Sequence, residues 1–94
     1  MKKFEIGKKY MATIWGAENE NLNYEIEVTS RNSESLSATV RVEEFTHSYR
    51  YTWPTSELCA EIKTGYNAYN KSEYEYITFK GVRPITIKAF WEVL

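Results

Sequence analysis

The sequence has no aspartate and only one cysteine, one histidine, two prolines and four glycines among its 94 residues. Because all thirteen acidic residues are Glu, the usual Asp-based calcium loops and Asp-containing catalytic triads are excluded. With Cys59 as the only cysteine, the chain can form neither an internal disulfide, nor a zinc site of Cys and His ligands, nor a CxxC redox pair. We expect no metal and no cofactor.

Charge of one sign and long apolar runs are also missing. Twelve Lys and Arg residues against thirteen Glu give a net charge of −1, which disfavours nucleic acid as a partner. No run approaches the roughly 18 apolar residues of a membrane helix. Residues 4–10 carry Glu5, Lys8 and Lys9 where a signal peptide would be apolar. Since a lone cysteine also fits a reducing compartment, we expect a cytoplasmic protein with no membrane partner.

Aromatic residues, in contrast, are abundant, with eight Tyr, three Trp and four Phe. Such rings let a short chain bury much surface per residue, and they also anchor interfaces. An apolar share of 43% and a charged share of 27% are those of an ordinary globular protein. A chain of this length supports one core only, so we expect residues 1–94 to form a single domain.

Two-residue alternation of apolar and polar side chains predicts most of the secondary structure. A first strand is expected over residues 8–15. Residues 22–29 and 36–43 alternate clearly on either side of the turn-forming residues 30–35, which predicts a hairpin. The register that sets Glu25 opposite Arg41 satisfies charge pairing and core burial together. It also pairs Ile26 with Val40 and Tyr24 with Val42.

A turn near Thr46 and His47 leads into a further strand that ends at Pro54, which has no amide hydrogen for a ladder. A two-residue connection would set Glu43 opposite Arg50 and Val40 opposite Trp53. The alternation places Tyr49, Tyr51 and Trp53 on the core side.

Residues 55–65 allow two interpretations, because start and stop signals favour a short helix near 56–64 while Leu58, Ala60 and Ile62 alternate as in a strand. We favour the helix. Residues 65–72 are expected to form an irregular loop, followed by a strand over 73–80 and a last strand that runs from Pro84 to the end of the chain.

These elements predict a mostly β fold, a small antiparallel barrel or roll of five or six strands with an SH3-like arrangement. In the last strand, Ile85, Ile87, Ala89, Trp91 and Val93 are expected to face the core.

Residues 4–10 (FEIGKKY), followed by an alternating hairpin, resemble the start of small uncharacterised SH3-like β-barrel proteins encoded by Gram-positive bacteria and their mobile elements. The resemblance covers about the first half of the chain and lies in an aromatic-x-aliphatic-Gly-Lys-x-aromatic motif. Trp15 and Gly16 stand where that group has a Cys-Asp pair, and the region after Pro54 is longer. The resemblance implies a barrel fold and an accessory role in a mobile element, with no catalytic residue.

The candidates for enzyme chemistry are His47 together with Cys59, or with Glu43 and Glu44. His47 falls at a polar turn and is expected to be exposed, whereas Cys59 is expected to be a small core residue. Glu43 and Glu44 are neighbours in a strand and so point to opposite faces. An enzyme is therefore our third hypothesis.

Binding is the first hypothesis, with an unidentified protein as the partner and Trp15, Tyr66 and Tyr69 as exposed aromatic anchors. The alternative is single-stranded nucleic acid, with bases stacked on Tyr49, Tyr51 or Trp53 and phosphates held by basic side chains. Those basic residues would be Arg31, Arg41 and Arg50. The apolar C-terminal residues Phe90, Trp91, Val93 and Leu94 suggest a homodimer as a further option.

Overall fold

A computed structural model of the chain describes residues 1–16, 20–81 and 83–94. The described residues contain eight strands and no helix. The strands are β1 (Lys9–Trp15), β2 (Asn21–Arg31), β3 (Ser35–Phe45), β4 (Arg50–Thr52), β5 (Ser56–Glu61), β6 (Lys63–Asn67), β7 (Ser72–Lys80) and β8 (Pro84–Lys88). Every pairing between these strands is antiparallel, so the predicted antiparallel β class is confirmed.

The first sheet has the order β1-β2-β3-β4, and β5 also pairs with β3. The two strands that share this edge of β3 lie at opposite ends of it, since β4 pairs with Glu43–Phe45 and β5 pairs with Ser35–Val40. The predicted hairpin register between β2 and β3 is confirmed. The observed pairs are Glu25 with Arg41, Ile26 with Val40 and Tyr24 with Val42.

The second sheet has the order β6-β7-β8. The segments that connect it to the first sheet include the β5–β6 passage and the C-terminal segment. Strand β5 passes into β6 with only Ile62 between them, and the amide of Ile62 donates a 2.8 Å hydrogen bond to the carbonyl of Glu34. The segment after β8 crosses to β1, where Met11 donates to Trp91 and Val93 donates to Lys9. These crossings let both sheets pack around one interior.

The core contains residues from both sheets in one cluster. In the first sheet, the inward side of the alternating strands supplies most of it, as predicted. The buried hydrophobic residues are Phe4, Tyr10, Leu22, Tyr24, Ile26, Val28, Leu36, Ala38, Val40, Ile77, Ile85, Ile87 and Ala89.

The helix expected near residues 56–64 is wrong, because β5 and β6 occupy that region. The alternation that turns Leu58 and Ala60 inward prevails over the helix signals. A helix of two turns has only marginal stability without packing. As a strand, the same segment can hydrogen-bond alternate backbone groups to the edge of β3. The five or six predicted strands thus become eight in the described ranges.

The pairing expected between β3 and β4 is also wrong, since Glu43 lies opposite Thr52 and Phe45 opposite Arg50. The connection is four residues long, and the hydroxyl of Thr46 accepts hydrogen bonds from the amides of Ser48 and Tyr49. A side-chain turn of this kind competes with a tight two-residue turn.

Tyr49, Tyr51 and Trp53 are not in the core but 50%, 47% and 40% exposed. The reason is that β4 pairs only with Glu43–Phe45 at the end of β3 and, among the described residues, with no strand of the second sheet, so these rings are only partly covered. Alternation shows which side chains share a face of a strand, but not whether another part of the protein packs against that face.

Two further expectations fail near the C-terminal end. The irregular loop over 65–72 is only a turn at residues 68–71, because Lys63–Asn67 pairs with β7. The last strand ends at Lys88 and does not reach the end of the chain. Trp91, expected in the core, is 38% exposed, because the turn at residues 89–90 rotates the chain off the sheet.

Candidate protein-interaction surface

Exposed and half-exposed aromatic rings lie on the outside of the second sheet, and Trp15 on the neighbouring edge of β1 shares a groove with two of them. We call the set Trp15, Tyr74, Phe90 and Trp91 the aromatic face. The ring centroids of Tyr74 and Phe90 are 4.9 Å apart and those of Phe90 and Trp91 are 5.6 Å apart, both in edge-to-face geometry. Such pairs stabilise one another beyond simple burial.

The local backbone explains how these rings reach the surface. Tyr74 points outward from β7 because Ile77, three residues later and on the opposite side of the pleat, is fully buried. Ala89 is the last buried residue of the C-terminal segment. The turn that follows it carries Phe90 outward and sends Trp91 towards β1.

A groove of about 580 Å³ joins this cluster to β1. It lies between the outer edge of the strand and the C-terminal segment. The residues that line the groove are Met11, Ala12, Thr13, Trp15, Phe90, Trp91 and Glu92. A shallow, mainly apolar surface that carries exposed aromatic rings is typical of a protein-interaction site.

Lys88 lies at the centre of the aromatic face. Its Nζ atom is 5.5 Å from the ring centroid of Tyr74, 5.7 Å from that of Phe90 and 5.1 Å from that of Trp91. An ammonium group over aromatic rings is attracted by their quadrupoles. The cation therefore fixes the relative positions of rings that would otherwise be free to turn in solvent.

Gly65 allows Tyr74 to lie flat across β6. A Cβ atom at Gly65 would be 2.6 Å from Cζ of Tyr74 and 2.7 Å from its hydroxyl oxygen. Any other residue would push the ring away from the sheet and alter the aromatic face.

The three predicted anchors are all exposed, at 76% for Trp15, 60% for Tyr66 and 102% for Tyr69. Trp15 lies in the groove. Tyr66 is in β6, and Tyr69 is in the turn before β7. Among the described residues, no ring contact connects those two tyrosines with Trp15. The structure therefore brings Trp15 together with other residues than those predicted.

Sequence reasoning missed Tyr74 as a surface residue and placed Trp91 in the core, although it named Phe90 and Trp91 among the C-terminal residues that would suit a homodimer. The outward alternation of Tyr74 could have identified it, since Tyr74 and Ile77 fall on opposite sides of one strand. Nothing in the sequence marks the turn at residues 89–90, which contains neither Gly nor Pro.

The three arginines of the nucleic-acid alternative are not brought together. Arg31 forms a bidentate ion pair with Glu75, and only 15% of the Arg31 side chain is exposed. Hydrogen bonding to Glu75 raises the pKa of Arg31. Arg41 forms an ion pair with Glu43 at 2.9 Å. Arg50 is 5.9 Å from the ring centroid of Phe45.

The rings of that alternative form a second exposed group at the β3–β4 hairpin. The centroids of Tyr51 and Trp53 are 5.2 Å apart in edge-to-face geometry. The hydroxyl of Tyr49 donates a 2.6 Å hydrogen bond to Glu44, which raises the pKa of Tyr49. Exposed rings can stack on bases, but Glu44 adds negative charge beside them.

The residues considered for catalysis do not converge. His47 is exposed at the β3–β4 turn, as expected. Cys59, expected in the core, is exposed on β5 and lies 3.3 Å from the hydroxyl oxygen of Ser37. The described residues contain no cluster of three or more His, Cys, Asp or Glu side chains able to hold a metal ion.

The chain matches no family model, and no curated protein or solved structure shows significant similarity to it. Within residues 1–16, 20–81 and 83–94 there is no helix with the length and apolar character that crossing a membrane requires.

Proposed function

We propose that this chain is a non-enzymatic binding module that recognises a protein partner through the aromatic face, on an SH3-like barrel scaffold. The observation that carries the proposal is the groove between β1 and the C-terminal segment, which Trp15, Phe90 and Trp91 all line. Two connections between the sheets support the barrel. They are the passage of β5 into β6 and the hydrogen bonds by which Met11 donates to the carbonyl of Trp91 and Val93 donates to the carbonyl of Lys9.

The chemistry of the groove suits a protein partner. Trp and Tyr offer large contact area for little loss of side-chain entropy, and a few such residues supply most of the binding energy of an interface. Trp15 is 76% exposed, so its apolar surface remains available for burial. The net charge of −1 favours a protein partner over a polyanion.

The experiment is affinity capture from the native host with the wild-type chain and two matched variants. Trp91→Ala removes a ring of the aromatic face, and Trp53→Ala removes a ring of similar exposure from the β3–β4 hairpin. We expect Trp91→Ala to weaken binding of the captured partner by about tenfold or more, as for an anchor residue, while Trp53→Ala binds like the wild type. Binding that survives nuclease treatment and high salt supports a protein partner.

Equal binding by both variants would contradict the proposal. So would a partner that is lost only with Trp53→Ala. Circular dichroism and thermal unfolding of each variant establish that a loss of binding is not a loss of fold.

The second candidate is single-stranded nucleic acid on the β3–β4 hairpin, favoured by the exposure of Tyr49, Tyr51 and Trp53 beside Arg50. Fluorescence anisotropy with a labelled oligothymidine tests it directly. If this candidate is right, the affinity for the oligothymidine falls steeply as the salt concentration rises. Binding is also lost in Tyr51→Ala but kept in Trp91→Ala. Absence of binding at low salt would reject this candidate.

A further inference from the structure

Strand β1 is an edge of the first sheet, and only part of that edge is covered. On the side away from β2, the C-terminal segment pairs with Lys9–Met11 through the bonds of Met11 to Trp91 and of Val93 to Lys9. Further along β1, no strand of the described part of the chain lies beside residues 12–15 on this side. The open half of the edge runs along the groove of the aromatic face.

The backbone groups that face this open edge can be assigned from the bonds already made. The carbonyl of Lys9 and the amide of Met11 both point away from β2, towards the C-terminal segment. Because the direction of the backbone groups alternates along an antiparallel strand, the amides and carbonyls of Thr13 and Trp15 point the same way. Among residues 1–16, 20–81 and 83–94, no backbone group pairs with them on this side, so they can accept another strand.

This edge lacks the charge, proline and bulges that protect exposed edges from pairing. Residues 12–15 are Ala, Thr, Ile and Trp, with no charge, no proline and no bulge in their pairing with β2. The opposite edge is different, because β4 is only three residues long, contains Arg50 and is soon followed by Pro54. Short length, charge and proline are the devices by which natural sheets avoid edge-to-edge association.

We propose that the open edge of β1 pairs with the same edge of a second copy of this chain, in an antiparallel manner about a two-fold axis at Ile14. The proposal rests on the proposed function, since it names the protein that occupies the groove. Residues 9–11 already pair with the C-terminal segment. A two-fold axis at Ile14 gives the register in which Thr13 and Trp15 pair with the second copy and the bonds of residues 9–11 are kept. Thr13 of each copy then exchanges hydrogen bonds with Trp15 of the other.

The side chains fit this register. Trp15 of one copy lies opposite Thr13 of the second copy, on the outer side of the sheet. Its indole then enters the second copy's groove, which that copy's Phe90 and Trp91 line. Each copy supplies both an exposed indole and a groove, so the contact is self-complementary, as a two-fold interface requires. No like charges meet, because residues 12–16 are uncharged. The second copy would thus extend, along the same edge of β1, the backbone pairing that Trp91–Val93 make with Lys9–Met11 within one chain.

Sedimentation equilibrium over a concentration series, with the purified chain as its own probe, tests the proposal. Thr13→Lys places two ammonium groups diagonally across the two-fold axis, and like charges across strands oppose pairing. Thr52→Lys makes the same change on β4, at the other edge of the sheet, and serves as the matched control. We expect a concentration-dependent dimer whose dissociation constant rises about tenfold or more, equivalent to 1.4 kcal/mol, with Thr13→Lys and stays unchanged with Thr52→Lys.

Hydrogen exchange of the wild type supplies a second measurement that needs no variant. The amides of Thr13 and Trp15 should exchange more slowly as the concentration rises, whereas the amides of Ala12 and Ile14, which already face β2, should not change. A chain that stays monomeric throughout the series, or a dimer in which Thr13 and Trp15 exchange at unchanged rates, overturns the proposal. A monomer whose partner capture still depends on Trp91 would overturn the dimer alone and leave the proposed function standing.

Discussion

The guanidinium of Arg31 donates two hydrogen bonds to the carboxylate of Glu75, at 2.5 Å to Oε1 and 2.8 Å to Oε2. Oε1 of Glu75 also accepts a bond from the amide of Phe4, and Arg31 donates to the carbonyl of Phe4. The pair thereby joins the end of β2, the middle of β7 and the N-terminal segment. Side-chain exposures of 15% and 6% make it a largely buried interaction.

Removing one member of this pair should destabilise the fold strongly. Glu75→Ala leaves the Arg31 guanidinium and the Phe4 amide without their acceptor, and we expect the free energy of unfolding to fall by about 3 to 5 kcal/mol. Urea denaturation measures the change. The control is Arg41→Ala, which breaks the exposed pair of Arg41 with Glu43 and should cost no more than about 1 kcal/mol. Equal decreases in the free energy of unfolding in the two variants would show that the buried pair stabilises the fold no more than the exposed pair does.

The same carboxylate should make stability depend on acid pH. Burial acts to raise the pKa of Glu75, but hydrogen bonds from Arg31 and the Phe4 amide and the charge of Arg31 outweigh it, so the pKa lies below its ordinary 4.5. The unfolded chain therefore binds a proton at higher pH than the folded one. The stabilisation is complete above 4.5 and is lost as the pH falls through the lowered pKa.

Thermal unfolding from neutral to strongly acid pH would detect this dependence. In Glu75→Gln, the difference in stability from the wild type should be constant above pH 4.5 and shrink below it, because the wild type alone loses the charged pair. A difference that stays constant down to the acid end would mean that the pKa of Glu75 is the same in both states.

Gly81→Ala should destabilise the core. An added Cβ would lie 2.5 Å from Cε1 and from the hydroxyl oxygen of Tyr24, whose side chain is fully buried and unable to move aside. We expect a loss of about 1 to 3 kcal/mol, typical of overpacking. Gly65→Ala meets the half-buried Tyr74 at 2.6 Å and should cost less, since that ring can swing into solvent. Urea unfolding of both variants compares them, and a larger loss in Gly65→Ala would contradict this account.

Core and surface aromatic positions should separate clearly in stability. Ile26 is fully buried, so Ile26→Ala leaves a cavity and should cost about 2 to 5 kcal/mol. Trp15→Ala, at a side chain 76% exposed, should change stability by no more than about 0.5 kcal/mol. The comparison uses the midpoint of chemical denaturation for the isolated monomer at low concentration. If Trp15→Ala unfolded the chain as readily as Ile26→Ala, Trp15 would be a structural residue and not an anchor.

The hairpin of β2 and β3 could be predicted to the residue because two independent constraints agree on one register. A slip by one residue would expose Ile26 and bury Glu25, and no slip of two would keep Glu25 beside Arg41. Where a single constraint was available the prediction was weaker. At Leu58, helical and strand spacing both fit, and only the free edge of β3 decides between them.

The surface sites depend on contacts between segments that are distant in sequence, and local sequence patterns do not predict such contacts. Arg31 looked like a free cation, but its partner Glu75 lies 44 residues away in sequence. Trp91 alternates with the core residues before it, yet one turn at residues 89–90 takes it outside. Tyr51 follows the pattern of a core residue on a hairpin that no second sheet covers. Exposure of these rings is a property of the assembled fold.

The near-continuous ribbon formed by β5 and β6 has a consequence for dynamics. Because only Ile62 separates the segment bonded to β3 from the segment bonded to β7, neither sheet can open at this side without straining the other. The two sheets should behave as one cooperative unit, in which slowly exchanging amides of β3 and β7 share a single opening free energy. Strand β4 and the turn before it lie outside that ribbon, so we expect their amides to exchange through smaller, local openings.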